Sequence, residues 1–208
     1  KAGYDFAGWY TDSALTKPYV FPATMPNTDT VVYAKWTPRN DTPYTVEHYQ
    51  QNLNNDLYTF VESDTQILHD TTDSVVTPQP KVYEGFASPQ AKSLTVLPDG
   101  SGVVKYYYSR RSYTVTFDPG EARGEPVVYQ FKYRQTITAS QMSRKGFTFV
   151  SWDKPLPDTM PASNLTFVAK WNPTKDTPYL VEHYIQNTAG TGYVLSHIEH
   201  KTGSTNQE

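Results

Sequence analysis

The sequence predicts a mainly β protein built from several small modules, and three observations lead to that prediction. Aromatic residues make up 14% of the 208 residues, and their large flat side chains suit the half-buried faces of pleated sheets. The 16 prolines and 11 glycines are scattered along the chain, which leaves no long stretch with helical periodicity. The chain also repeats itself. We therefore expect an α+β architecture dominated by strands, with at most short helices.

Several motifs recur at a fixed spacing. Residues 41–52 reappear 135 positions later as residues 176–187, with ten of twelve positions identical. A second stretch, from Thr-Met-Pro to Ala-Lys-Trp, occurs at 24–36 and in the same register at 159–171. Residues 3–9 match 146–152, but the loop after Trp9 is eight residues longer than its counterpart. Loops tolerate such insertions, and the whole pattern predicts a window on an elongated tandem array.

Proline-bearing polar stretches at 37–43 and 172–178 predict stiff connections between modules, because proline disfavours helices and central strands. A further junction is expected near residues 109–112. These boundaries define four segments, named here in chain order: the first (1–39), the second (40–111), the third (112–173) and the fourth (174–208). We expect the second and third to be complete modules and the other two to be partial.

Runs rich in Val, Tyr and Phe predict strands, because each is bounded by turn residues. Residues 138–145 fit either a short helix or an extended crossover. The predicted strands are residues 44–49, 58–64, 103–108, 113–118, 127–133, 147–152 and 165–171.

The order of aromatic and glycine positions in the third segment is specific. The residues that carry this pattern are 113–118, 144–152, Met160 with Pro161, and 169–171. With this order the segment resembles the Listeria–Bacteroides repeat, also called the internalin B-repeat. The first segment resembles the second half of the same repeat.

The second segment carries a different pattern, at residues 44–49, 83–86 and 102–108. It resembles a mucin-binding-protein (MucBP-like) repeat, and the fourth segment resembles the first half of one. Both resemblances imply small β-grasp, ubiquitin-like folds strung along Gram-positive surface proteins. They imply a non-catalytic stalk of an extracellular adhesin, anchored to the cell wall or secreted, with signal peptide and anchor outside this chain. The alternative is a module that binds mucin glycans or a host surface protein, and neighbouring repeats are expected partners in either case.

Composition excludes several other functions. The net charge is −3 and the 18 Lys and Arg residues are dispersed, so we expect no binding of nucleic acid phosphates. The chain contains no cysteine, which excludes disulfides, thiolate metal sites and Cys nucleophiles. No apolar run approaches the ~20 residues of a membrane span.

Histidine and serine patterns give no support for a metal, a cofactor or an enzyme. His48 and His183 are repeat equivalents, while His197 and His200 lie three apart and would face opposite sides of a strand. No H-E-x-x-H or G-x-S-x-G motif is present.

The aromatic residues are the candidate functional side chains. Trp9, Trp36, Trp152 and Trp171 occupy matching places in two copies, which favours a role as core anchors over an exposed platform for sugars. Tyr106, Tyr107 and Tyr108 cannot all face inward, because strand side chains alternate. Either Tyr107 or its two neighbours must lie on the other face of the strand, and that face is the candidate surface for a ligand or for another module.

Two lysines suggest a covalent alternative. Lys35 and Lys170 lie in the repeated Ala-Lys-Trp motif, and surface stalks of this kind can carry Lys–Asn isopeptide bonds. The competing interpretation is a solvated lysine on the outer face of a strand, because lysine is seldom buried.

Overall fold

A computed structural model describes residues 1–24, 26–120 and 124–205. Met25 of the repeated Thr-Met-Pro motif, the loop residues 121–123 and the last three residues of the fourth segment lie outside this description. The chain divides into two compact units, residues 1–111 and 112–208. Each unit therefore contains one segment of each predicted kind.

The described residues of the first unit form ten strands and one single-turn 3-10 helix, Glu62–Asp64. The strands are β1 (Tyr4–Tyr10), β2 (Pro18–Tyr19), β3 (Tyr33–Pro38), β4 (Thr42–Gln51), β5 (Tyr58–Phe60), β6 (Gln66–Asp70), β7 (Val75–Val76), β8 (Phe86–Ala87), β9 (Leu94–Thr95) and β10 (Val103–Arg110).

The first segment forms an antiparallel sheet of three strands in the order β2-β1-β3. A bulge between Phe6 and Gly8 interrupts the pairing of β1 with β3. The eight extra residues of this copy fall in the long connection around β2, as expected for a loop insertion.

The second segment forms a mixed sheet in the order β5-β4-β10-β8. Strands β5 and β6 both pair with β4, β5 along residues 49–51 and β6 along residues 42–46. Its two longest strands, β4 and β10, run parallel in the centre. Alternation along β10 turns Val104, Tyr106 and Tyr108 into the core, while Tyr107 faces solvent. The core thus lies on one face of this sheet.

The part of the second unit that the structure describes contains six strands. They are β11 (Ser112–Asp118), β12 (Val127–Lys132), β13 (Phe147–Trp152), β14 (Leu165–Pro173), β15 (Thr177–Gln186) and β16 (Tyr193–Gly203).

The third segment is a sheet in the order β12-β11-β14-β13, again with a parallel central pair, β11 and β14. Its core cluster consists of Val115, Phe117, Phe131, Ile137, Met160 and Phe167. Residues 138–145 cross this core without helical structure, which decides for the extended crossover. A bulge between Phe149 and Ser151 repeats the bulge of β1.

The fourth segment is an antiparallel hairpin of β15 and β16. Its strand β15 corresponds to β4, residue for residue, at the spacing of 135. The returning strand differs, because β16 is continuous where the second segment has β5, the 3-10 turn and β6.

The mainly β fold class is confirmed. In the described ranges, helical structure is limited to the turn at Glu62–Asp64, and this turn replaces the last part of the strand predicted at 58–64. The ubiquitin-like topology stays a prediction.

Candidate contact surface

The outer face of the second segment carries four aromatic rings in mutual contact, which we call the tyrosine face: Tyr49, Tyr58, Phe60 and Tyr107. Tyr107 stacks on Tyr49 with ring centroids 4.9 Å apart and meets the edge of Tyr58 at 5.2 Å. Phe60 adjoins Tyr49 at 5.2 Å. Tyr107 remains 43% exposed, so the cluster is open to a ligand.

Charged groups surround this face. The hydroxyl of Tyr49 donates a hydrogen bond of 2.6 Å to Oε2 of Glu47, and Nζ of Lys105 lies 3.2 Å from the same oxygen. The bond from Tyr49, followed by that from Lys105, lowers the pKa of the Glu47 carboxyl despite partial desolvation. Lys92 lies 5.8 Å from the centre of the Tyr107 ring. The arrangement of stacked rings with a polar rim suits a flat, partly polar ligand.

The structure separates the three consecutive tyrosines as alternation requires. Tyr106 and Tyr108 are fully buried and Tyr107 is exposed. The sequence could identify the alternation, but it did not identify Tyr49, Tyr58 and Phe60 as the neighbours of Tyr107. The available signal was strand alternation: Tyr49 follows His48, so a buried His48 would place Tyr49 on the outer face.

Beneath the tyrosine face lies a buried polar cluster around His48. Nδ1 of His48 lies 2.8 Å from the Tyr108 hydroxyl, and Nε2 lies 3.4 Å from Oε1 of Gln66. Burial lowers the pKa of His48 and raises the pKa of Tyr108 to about 12. Tyr108 therefore stays protonated at neutral pH. With its hydroxyl donating a hydrogen bond to Nδ1, the neutral imidazole carries its proton on Nε2, which faces Oε1 of Gln66.

An ion pair closes one side of this cluster. Nζ of Lys81 lies 2.9 Å from Oδ1 of Asp64, whose other oxygen accepts a 2.5 Å bond from the Tyr83 hydroxyl. The bond from Tyr83 is the main cause that lowers the pKa of Asp64, and Lys81 acts in the same direction. The same bond adds to the effect of burial in raising the pKa of Tyr83. The ion pair of Lys81 and Asp64 thus lies at the edge of the core, where both side chains are partly exposed.

The four tryptophans lie at corresponding places but differ in burial. Trp152 packs against the third-segment core, 4.9 Å from the Phe117 ring. Nε1 of Trp171 donates a 3.0 Å bond to the Pro119 carbonyl. Trp9 and Trp36 both contact Phe6 edge-on at 5.4 Å. These two are more exposed than their equivalents, because the three strands of the first segment's sheet include no counterparts of β11 and β12. Their role as anchors stays a prediction.

The two candidate lysines differ in environment. Nζ of Lys35 lies 5.0 Å from the centre of the Tyr10 ring, and Lys170 is exposed on β14. The isopeptide hypothesis stays a prediction.

A cluster that the sequence did not predict lies on the fourth segment. His183 and His197 oppose each other across the hairpin, with parallel rings 4.1 Å apart, and ligand atoms of both lie within 4.8 Å of Glu199. Nε2 of His183 approaches Oε1 of Glu199 to 2.9 Å, without the alignment of a hydrogen bond. Centring the hairpin on residues 187–192 would have placed His183 opposite Ser196, and only the bulge between His183 and Tyr184 brings His197 opposite His183.

These residues could hold a divalent cation only after rearrangement. The lone pairs of two parallel stacked rings do not converge on one point. Glu199 is also engaged by Lys201 at 2.7 Å, which is the main cause that lowers the pKa of Glu199. The histidine opposite His197 is His183, while His200 lies opposite Leu180.

Comparison with known proteins identifies part of the chain. The model of the Listeria-Bacteroides repeat domain matches residues 1–35 and 113–170. The predicted repeats in the first and third segments are thereby confirmed. The mucin-binding resemblance of the second and fourth segments stays a prediction.

One relative is a protein of Evansella cellulosilytica that is described only as a candidate membrane protein. It is 26% identical over 169 residues, an alignment that covers 74% of this chain and 24% of that protein. The chain thus spans about a quarter of that relative's length. Within the described part of the chain, no helix is long and apolar enough to cross a membrane.

Proposed function

We propose that this chain is a non-catalytic spacer region of a bacterial cell-surface adhesin, in which Listeria-Bacteroides repeats alternate with MucBP-like modules. One observation carries the proposal: two sequence patterns recur in the same order, 135 residues apart over 24–52 and 159–187, and both form strands of small separate sheets. The family of the repeat is typical of extracellular surface proteins, and the apolar side chains of the complete segments are used to pack small cores. Such an array would project a more distal domain from the cell wall.

Solution scattering from concatenated copies of residues 39–173, one full period, tests the spacer. We expect the maximum dimension to grow by a constant increment for each added period. A single compact body would instead grow with a radius of gyration proportional to about the 0.38 power of its length. That slow growth, or turnover of any glycan or peptide substrate, would contradict the proposal.

A second candidate function is favoured by the tyrosine face. Its stacked rings and charged rim are suited to the apolar face and hydroxyls of a sugar. On this hypothesis the second segment binds mucin-type glycans directly, in addition to or instead of acting as a spacer.

We expect Tyr107→Ala to weaken glycan binding by about two- to tenfold, because aromatic contacts of this kind contribute about 0.5–1.5 kcal/mol and 1.4 kcal/mol is a factor of ten. Titration calorimetry with mucin oligosaccharides would measure the change. Tyr129→Ala provides the matched control, since Tyr129 is 44% exposed but lies on β12 of the third segment. Equal affinities for both variants, or no binding by the parent chain, would remove this hypothesis.

A further inference from the structure

The short connections at 39–41 and 174–176 are bonded to both of the segments that they join. In the first unit, the N–H of Arg39 donates to the Gly3 carbonyl at 2.9 Å, and the N–H of Thr72 donates to the Arg39 carbonyl at 2.8 Å. The connection is thus held from the turn before β1 on one side and from the residues after β6 on the other.

The second unit repeats this pattern. The N–H of Thr174 donates to the Gly146 carbonyl at 2.9 Å, and the N–H of Thr205 donates to the Thr174 carbonyl at 2.9 Å. Two independent copies therefore close their junctions with the same pair of backbone bonds.

A threonine hydroxyl bridges the first junction, and two threonine hydroxyls pair beside the second. Those of Thr42 and Thr72 lie 2.6 Å apart, and the hydroxyl of Thr72 donates to the Gly3 carbonyl at 2.6 Å. Both threonines are at least 97% buried, with exposed fractions of 3% and 2%. The hydroxyls of Thr177 and Thr205 lie 2.5 Å apart at the equivalent place. Buried hydroxyls with satisfied bonds fix a geometry, because leaving one unpaired costs about 1–3 kcal/mol.

The two glycines fit the junction for two separate reasons. Gly3 and Gly146 have φ of +71° and +77°, a region that other residues rarely adopt. A Cβ on Gly146 would also lie 2.5 Å from Oγ1 of Thr205, and one on Gly3 would lie 2.6 Å from the Pro98 carbonyl oxygen. Each glycine thus admits the neighbouring segment to direct contact with its backbone.

We propose that this glycine–threonine clamp joins each Listeria-Bacteroides repeat to the module that follows it, so that the two fold as one cooperative unit. The clamp consists of Gly3, Arg39, Thr42 and Thr72 in the first unit and of Gly146, Thr174, Thr177 and Thr205 in the second. The glycine turn of the repeat is therefore an interaction surface. Its partner is a sheet that presents one threonine at the start of its first long strand and another after its returning strand.

This inference does not depend on the adhesin function. It agrees with the division of the chain into residues 1–111 and 112–208, in which the clamped junctions lie inside the units. It also explains how the hairpin β15–β16 can be stable, because an isolated pair of strands is only marginally stable in water. The hairpin is expected to draw protection from the third segment through the clamp.

Hydrogen exchange of the full chain, resolved by residue, tests the coupling. Ile137 belongs to the third-segment core, and Ile137→Val should accelerate the slowest amides of β11 by about two- to tenfold. If the clamp couples the segments, the slowest amides of β15 and β16 accelerate by the same factor. Adding Thr205→Val should confine the acceleration to the third segment.

Gly146→Ala and Gly190→Ala form a matched pair of variants. Both glycines have a positive φ, but a Cβ on Gly190 would meet nothing within 4 Å. Gly146→Ala should therefore accelerate the Thr174 and Thr205 amides at least about tenfold more than Gly190→Ala, because only the former clashes across the junction. Thr202→Val, at an exposed position of β16, serves as the control for Thr205→Val.

Amide exchange rates in β15 and β16 that stay unchanged in Ile137→Val would overturn the proposal. The same holds if Gly146→Ala and Gly190→Ala have equal effects. Neither result would bear on the spacer function, because independently folding modules can also form a stalk.

Discussion

Replacing Phe117 by alanine is expected to lower the free energy of unfolding of the second unit by about 3–5 kcal/mol. Phe117 is fully buried on the central strand β11, between the rings of Phe167 at 5.8 Å and Trp152 at 4.9 Å. The loss combines the transfer free energy of the removed ring with the cost of the cavity that it leaves. A module this small has little other apolar surface with which to compensate.

Urea unfolding followed by the fluorescence of Trp152 and Trp171 measures this loss. Trp9 and Trp36 should be replaced by phenylalanine in both the variant and the reference, so that the signal comes from the second unit. Val128→Ala on β12 is the control, because Val128 is 56% exposed and such a change is expected to stay within about 0.5 kcal/mol. A loss below about 1 kcal/mol for Phe117→Ala would show that the cluster is not the core.

The strands of the two complete segments could be predicted from the sequence because their alternation is long and strong. The predicted strand at 103–108 appears as β10, and those at 113–118 and 165–171 appear as β11 and β14, each within two residues at either end. In these strands the inward residues are large and apolar, so local pattern and tertiary packing favour the same structure.

Where sequence-based expectation and structure differ, the difference depends on which strand is available for pairing. Residues 30–32 correspond to residues 165–167 of β14, yet β3 begins only at Tyr33. In the third segment this stretch pairs with β11, whereas the first segment's sheet offers it no such strand, and Val31 is 69% exposed. Stretches at equivalent places of the repeat thus take different structures because a strand needs a neighbour as well as a propensity.

The strand predicted at 58–64 failed for a similar reason. Local composition favours continuation through Val61, but Asp64 is drawn into contact with Lys81 and Tyr83. Those partners are distant in sequence, and the chain turns at Glu62–Asp64 to reach them. The candidate surface shows the same limit. Alternation leaves either Tyr107 or its two neighbours on the outer face, and the identity of the stacking partner depends on cross-strand register.

His48 is expected to make the first unit sensitive to mild acid. In the unfolded chain its pKa is near the ordinary value of about 6.5, and burial lowers this pKa in the folded protein. The charge of Lys81 acts in the same direction, while the Gln66 bond and the Asp64 carboxylate oppose it. Between the two pKa values the unfolded state binds a proton that the folded state does not. The free energy of unfolding is therefore fully retained only well above a pH of about 6.5, and it falls as the pH decreases through and below that value.

The variant His48→Leu separates this effect from general acid instability. It removes the partner of the buried Tyr108 hydroxyl, so we expect a loss of about 1–3 kcal/mol at pH 7.5. The part of the pH dependence that belongs to His48 should disappear at the same time. Between pH 5 and 7.5 carboxylates such as Asp64 stay ionised, because the pKa of Asp64 is itself lowered.

The matched control is His69→Gln. His69 lies on the adjacent strand β6 but is exposed, so its replacement should leave the slope of stability against pH almost unchanged. Urea unfolding at several pH values, followed by the fluorescence of Trp9 and Trp36 with Trp152 and Trp171 replaced by phenylalanine, gives both slopes. A slope that survives in His48→Leu and vanishes in His69→Gln would assign the acid sensitivity to the surface, and the buried histidine would then be a neutral packing residue at every pH in this range.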